Sequence, residues 1–515
     1  MPLVDWLLSR STPFFLHFDG QFVTPQDLVV GTLIGRNYGW TPVQYATAIH
    51  HIASIIRNDD GSGGLAKQYG GYSYATTLMG GRGVSEQYLV TPQYQMQVDV
   101  TDTNNPAYVT DQQIVQNVAA LITAYLETLA FSQETNGEFN GSPYDTFLIQ
   151  NGLPRQPNPG ETPLQYSHRL LQLVDNLANP QFVTDPADGS FSTQNQLFQF
   201  GPNELAGLKI FFAFSPSNTV QPGVEIGNCV ACHTPPAFSD FIFHNTGAAQ
   251  EEYDSIFGGG AFAALPVPDL AQRESNYDAF LPATTNHPYA MGTFESPPST
   301  NNPGQVDPGL WNVFANSDFP APQPGLQQIA SLLVPGGLPP PVINVPDTAG
   351  NNLLLSGHGV PGWTYYVLIA TNAALPLEDW QVAATNSFDM SGNFSFADQN
   401  TGNSQKFYRL TMDTTASVLP YTIGAFKTPT VRDLSSSEPY LHTGRMDTIE
   451  DVVGFYENFS AKARAGLVRN GDPPVKRHIH GYQCHYSRGR FSSLAGRRLY
   501  RCSVPLPPVS VNRRI

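Results

Sequence analysis

Residues Gly227-Asn228-Cys229-Val230-Ala231-Cys232-His233-Thr234-Pro235-Pro236 hold the side chains of this chain best suited to redox or metal chemistry. Two cysteines stand two residues apart and a histidine follows at once, the C-x-x-C-H spacing at which a c-type haem is attached. Two thiols so spaced reach the two vinyl groups of one porphyrin and become thioethers, and the adjacent histidine lies under the iron as a nitrogen ligand. Three other readings compete: a zinc half-site, a redox dithiol and chance. Zinc would want a second Cys/His pair, and only Cys484 and Cys502 remain. A thioredoxin-like dithiol would want a strand before the motif and a helix after it. Here a loop rich in Pro, Ser and Gly precedes it and Pro235-Pro236 follows. The preferred reading is haem c, bound through Cys229 and Cys232, with His233 as the proximal iron ligand.

The chain that must position this motif has 515 residues, room for two to four domains. Only 13% of residues are charged, while Gly (45) and Pro (44) are plentiful, which predicts loop-rich domains. The net charge of −16 argues against nucleic acid as a partner. No apolar run reaches about 18 residues, so no transmembrane helix is expected.

Thr41-Pro42 opens a predicted helix running to Arg57, with Val43, Ala46, Ile49, Ile52, Ala53 and Ile56 on its apolar face. His50 and His51 on it read as solvent or packing residues. Thr110 caps a second helix, Asp111 to about Phe131, and Glu161–Leu177 is amphipathic. Between 326 and 413, Thr364–Ala370, Trp380–Ala383, Asn393–Ala397 and Lys406–Met412 are short β-prone runs separated by turns, which predicts a small all-β sandwich of the Ig or fibronectin kind. From Lys476 to Ile515 there are nine Lys/Arg and no Asp/Glu. This basic tail reads as aberrant or disordered, or else as an arm for an acidic partner. Cys484 and Cys502 within it could pair outside the cytoplasm.

Three separated runs resemble the bacterial dihaem cytochrome c peroxidase and MauG family. They are Pro202–Phe212 (PNELAGLKIFF), Cys232–Gly247 (CHTPPAFSDFIFHNTG) and Phe426–Phe459, which contains TPTVRD and PYLHTG. The match covers 200–325 and 420–475 well and 1–135 loosely. A weak internal repeat supports a tandem arrangement: Ser11–Thr32 echoes Glu438–Tyr456, pairing Gly20 with Gly444, Thr24 with Thr448 and Asp27 with Asp451. The expected fold is mainly α, with two tandem cytochrome c-like domains and the β-sandwich inserted in the second. The expected boundaries are 1–135 for an N-terminal cytochrome-like domain without a haem motif and 136–199 for a connector. The haem domain takes 200–325 and 414–475, the β-module 326–413 and the tail 476–515.

The resemblance also implies site residues. Its ligand to the C-terminal haem lies fourteen residues after the His of PYxHxG, and from His442 that position is Tyr456. Peroxidases of the family place Met there and the MauG-like branch Tyr. Met446 is the rival. His244 and His442 are haem-environment candidates. Thr448 with Asp451 makes a capping-box-like helix start, which sets Tyr456 about two turns in. The family's first haem would lie upstream of the segment matching Pro13–Gly20, so this chain is expected to begin inside the first domain, its signal peptide and second haem motif lost. Phe18 stands where an inter-haem Trp is usual. Leu28, Thr32 and Tyr38 fall where the family's distal Gln, Pro and Glu are expected, and neither Leu28 nor Thr32 can do acid–base work on peroxide. No catalytic acid or base is therefore assigned.

The expected function is an exported, periplasmic or extracellular, haem oxidoreductase. It would take electrons from a donor protein and pass them through the haem, with hydrogen peroxide as the acceptor the family implies. The alternatives are a non-catalytic electron-transfer cytochrome and a secreted binding protein with an accessory haem domain. A calcium ion between domains is usual in the family, without ligands assignable here, and a homodimer is compatible with the reading.

Overall fold

The computed structural model describes residues 14–184, 198–214, 226–292, 298–334, 340–399 and 405–471, apart from positions 82, 351, 376–378, 413, 433, 435 and 436, together with Leu8 and Arg10. The basic tail, with Cys484 and Cys502, lies outside the described residues.

The expectation of a mainly α chain built from two tandem cytochrome c-like domains is not met. The described residues are 39% helical and 14% strand, a mixed composition with small antiparallel sheets. The reason is punctuation: glycine and proline stop helices early. The longest helix among the described residues, Asp111–Thr128, has 18 residues. None is long and apolar enough to cross a membrane.

The first helical cluster packs Pro25–Ile34 and Tyr45–Asn58 against Asp111–Thr128 over Ala53, Ile56, Leu78, Val98 and Ile114. Thr41-Pro42 starts a single 3-10 turn before the helix begins at Tyr45. Thr110 caps Asp111–Thr128 through a full capping box with Gln113. His50, largely in solvent, pairs with Asp111 at 2.7 Å.

The stretch 136–199 does more than connect. Helices Pro143–Gln150 and Pro163–Asp175 build a core of Phe147, Tyr166, Leu170 and Val174 with Phe200 and Phe212, and that core includes Val230 within the C-x-x-C-H run and Phe238 just after it. Between Val342 and Met412 the chain turns to strand. One antiparallel sheet orders Phe407–Met412, Thr364–Ala370 and Gln381–Ser387; the other centres on Asn352–His358, flanked by Val342–Ile343, Asp347–Ala349 and Asn393–Gln399. Leu355, Tyr365, Val367, Phe388, Phe394 and Leu410 form their shared core. The central strand Asn352–His358 lay outside the predicted runs, because its Leu-Leu-Leu stretch has neither alternation nor β-branching.

The main core gathers Phe15, Phe243, Phe262, Leu310, Trp311, Phe314 and Leu326. Phe15 belongs to the N-terminal stretch, so residues near 14–22 are part of the same body as the C-terminal half. Phe15 meets Phe243 edge-on at 5.9 Å, and Lys427 N donates to Phe18 O at 2.8 Å.

The internal repeat is geometric. Leu16 bridges Phe22 and, 424 positions on, Tyr440 bridges Met446. His17 and Leu441 share a left-handed backbone at φ +71° and +63°, as do Gly20 and Gly444 at +81° and +63°. Thr24 and Thr448 cap their helices by accepting from Asp27 N and Asp451 N. At this spacing Phe18 corresponds to His442, and these two rings face each other edge-on at 6.3 Å. The two copies of the turn therefore meet through equivalent positions.

The second copy leads into helix Ile449–Arg464, which buries Phe455, Phe459 and Ala463 against Ala248. Gly247, at φ +88°, admits Phe459 so closely that a Cβ would lie 2.4 Å from its ring. Gly247→Ala is expected to cost about 2 kcal/mol or more, combining strain and overpacking. Gly258→Ala, where φ is +97° with nothing within 4 Å, is expected to cost less. Urea unfolding of both variants checks this, and equal losses would rule out the packing contribution.

Candidate functional site

The C-x-x-C-H run is wound by local hydrogen bonds. Gly227 N donates to Ile210 O at 2.8 Å and Asn228 N to Ala213 O at 2.9 Å, docking the loop on the end of helix Pro202–Phe212. A Cβ at Gly227 would lie 2.6 Å from Ile210 O, so the approach requires glycine. Asn228 takes a left-handed conformation, and a 3-10 turn follows over Cys229–Ala231. His233 N closes onto Cys229 O at 2.8 Å. One turn of chain thus carries both thiols and the imidazole, and neither cysteine is in a disulfide.

Residues 234–240 fold back under the histidine. His233 Nδ1 lies 3.2 Å from Phe238 O. A carbonyl only accepts, so Nδ1 carries the proton and Nε2 is the nitrogen with a lone pair. Burial lowers the His233 pKa against the opposing pulls of that carbonyl, of Asp240 and of the Pro429 backbone; the neutral ring is the form that binds metals. Burial, with Cys232 adjacent, pushes the Cys229 thiol up to about 12.

The TPTVR segment zips onto this loop from about 190 residues away. Ser239 Oγ donates to Thr428 O at 2.7 Å and Thr430 Oγ1 to Ala237 O at 2.6 Å. Arg432 Nε donates to Pro236 O at 2.9 Å, while its two outer nitrogens reach Asp145 at 3.1 Å each. That pair is buried on both sides, and Phe139 covers the guanidinium at 3.9 Å. Asp145 and Arg432 were not singled out from sequence. A lone Arg and Asp 287 positions apart carry no pairing signal.

On the other side of Cys232 lie Asp240 and His244. Asp240 N donates to Cys232 O at 2.9 Å, and His244 Nε2 lies 2.7 Å from Asp240 Oδ2. The ligand atoms of Cys232, Asp240 and His244 all fall within 4.8 Å of one another. Strand Phe243–His244 is held by pairing with Phe426–Lys427. His244 was a sequence candidate and is here. Asp240 was missed, although its place four residues before His244 was visible.

Tyr456 reaches the same space from helix Ile449–Arg464. Burial raises its pKa, and Cys232, Cys229 and His244 all act on it electrostatically, with a hydrogen bond to Thr246. Met446 packs beside it in the Phe455–Phe459 cluster. The structure thus brings Cys229, Cys232, His233, His244 and Tyr456 together, with Met446 on the margin.

His442 stands apart. Its ring stacks on Phe426 at 3.4 Å, and together with His17, Phe18, Asp19 and Asp307 these two line a cavity of about 190 Å³. Its Nε2 is buried without a hydrogen-bond partner among the described residues, and burial lowers its pKa to about 3. The unfolded chain would protonate it near 6.5. Its contribution is therefore present above pH 6.5 and lost as pH falls towards 3, at about 1.4 kcal/mol per pH unit. His442→Phe should flatten that part of the stability–pH curve in urea titrations; an unchanged slope would assign the acid loss elsewhere. Leu28 and Thr32 lie on helix Pro25–Ile34, and Tyr38 is 65% exposed. None of the three brings an acid or base to this site.

No protein-family model, curated protein or solved structure matches this chain.

The donor set fits a covalent haem. Two thiols outside any disulfide sit on one turn, and the imidazole has its Nδ1 tied back to the Phe238 carbonyl, a contact of the kind that orients a ligating histidine.

Proposed function

We propose that the chain is an exported haem c oxidoreductase resembling the dihaem cytochrome c peroxidase and MauG family. The observation that supports this most directly is the His233 tie to Phe238 O on the turn that carries both thiols. Cys229 and Cys232 would each add S–H across a vinyl group, forming an S–C bond while the proton goes to the neighbouring carbon, with no net redox change. His233 would hold iron through Nε2. The bound haem would supply a one-electron centre for a donor protein. Tyr456 is the proposed opposite ligand, and Met446 the alternative. Attachment of this kind takes place outside the cytoplasm, which is the basis for proposing export.

A haem count by pyridine haemochrome, on chain exported with an attachment machinery, tests the reading; one haem per chain supports it and none discards it. Tyr456→Phe is expected to change the ferric spectrum while the haem count stays at one. An unchanged spectrum would move the ligand to Met446 or leave the position open.

A second reading, an electron-transfer cytochrome without peroxide chemistry, is favoured by Leu28 and Thr32, which carry no proton donor or acceptor suited to peroxide cleavage. Hydrogen peroxide turnover by the haem-loaded chain separates the two.

A further inference from the structure

The thiol pair has a second set of neighbours that the haem reading does not use. Cys232 Sγ, an Asp240 carboxylate oxygen and a His244 ring nitrogen form a triangle no wider than 4.8 Å. Sulfur, imidazole and carboxylate are the donors of zinc and its borderline-soft neighbours. A thiolate and a carboxylate together balance a divalent charge. A tetrahedral ion with bonds of about 2.0–2.3 Å sets its ligands roughly 3.3–3.8 Å apart, so side-chain movements of about an ångström fit the triangle to an ion, the 2.7 Å Asp240–His244 contact opening as they do.

The backbone makes the cluster a built feature. Asp240 is brought to Cys232 by its own N–H on Cys232 O at 2.9 Å. Asp240 Oδ1 accepts from Ile242 N at 3.2 Å, which orients the carboxylate while Oδ2 faces His244. His244 is fixed by strand pairing with Phe426. Its side chain is 11% exposed and that of Asp240 18%, covered yet open enough for entry of an ion. Cys229 and Tyr456 are both within electrostatic reach of Cys232. The zinc reading failed at the level of sequence because it asked for a second Cys/His pair. The fold supplies Asp240 and His244 instead.

We propose that Cys232, Asp240 and His244 form a divalent transition-metal site of the zinc class in the chain that carries no haem. The two occupancies exclude each other at Cys232, because a thioether lacks the thiolate charge that binds zinc. This site does not depend on the haem reading, since it concerns the chain before any attachment.

The test uses full-length chain made in a reducing cytoplasm without haem attachment, with Cys484→Ser and Cys502→Ser removing the two thiols outside the C-x-x-C-H run. Cobalt(II) is titrated in and followed by its thiolate charge-transfer band, then displaced by zinc. One equivalent with that band is expected. Cys232→Ser should abolish the band, and His244→Gln and Asp240→Asn should each weaken binding by at least about tenfold, the lower end of losses for residues that only support a ligand. Wild-type affinity in either of the last two overturns the proposal, as does absence of the band in the parent. A measurement on the parent alone guards against misfolded variants: saturating zinc should protect Cys232 from iodoacetamide, read by mass spectrometry, and unprotected Cys232 overturns it. Haemochrome on exported chain is a separate preparation, so failure of the haem reading and failure of this one remain distinguishable.

Discussion

Chain carrying Cys229→Ala together with Cys232→Ala, exported with a haem attachment machinery, is expected to show no pyridine haemochrome where the parent shows one haem per chain. The effect should be complete, because the thioethers are the only covalent tether and both thiols sit on the single turn Cys229–Ala231 and its cap. His244→Gln is the informative companion. It disturbs the triad with Asp240 and leaves both thiols and His233 in place, so its haem count should stay at one. Haem retained in the double variant would mean that the cofactor is held elsewhere. Haem lost in both would mean that the loop, rather than the thiols, is being tested.

The second large effect is expected far from the thiols. Arg432→Leu should destabilise the chain by about 3–5 kcal/mol, the cost of leaving one member of a buried ion pair unpartnered. Asp145 keeps hydrogen bonds from Ser142 N and Oγ, but both Arg432 contacts at 3.1 Å disappear. The double variant Asp145→Leu with Arg432→Leu should recover part of the loss, because no isolated charge is then buried. Urea unfolding of the two single variants and the double gives the coupling; strictly additive losses would show that the pair is not an energetic unit. Arg432 also holds Pro236 O, two residues before the Phe238 carbonyl that ties His233. The variant should therefore loosen the histidine as well as the fold, seen as a broadened His233 Nδ1–H resonance.

Much of the local structure was legible in the chain itself. Thr448 with Asp451 and Thr110 with Gln113 are capping boxes, and a cap works through hydrogen bonds three residues apart, which sequence states directly. The strand Thr364–Ala370 has the predicted bounds, since β-prone runs and the turns around them are local signals. The turn shared by residues near 20 and near 444 was readable from a glycine, a threonine and an aspartate at equal spacing. The C-x-x-C-H run forms one turn carrying both thiols and the histidine, a closeness its spacing states directly.

The architecture was not legible in this way. A mainly α body was expected, and a mixed one is found, because helix length depends on where glycine and proline fall against tertiary packing and not on the presence of helical motifs. The stretch 136–199 reads as a connector in sequence, yet its Phe147 and Tyr166 share a core with Val230 and Phe238. Asp145 meets Arg432 across 287 positions. Asp240 and His244 meet Cys232 through the backbone bond that closes residues 232–240 into a loop and through the pairing of His244 with Phe426, far along the chain. Contacts of this kind depend on non-local packing, which no window of residues encodes by itself. The sequence alone determined the spacing of the two thiols and the histidine; the tertiary structure decided which other side chains stand beside them, because that is set by how distant apolar segments share one core.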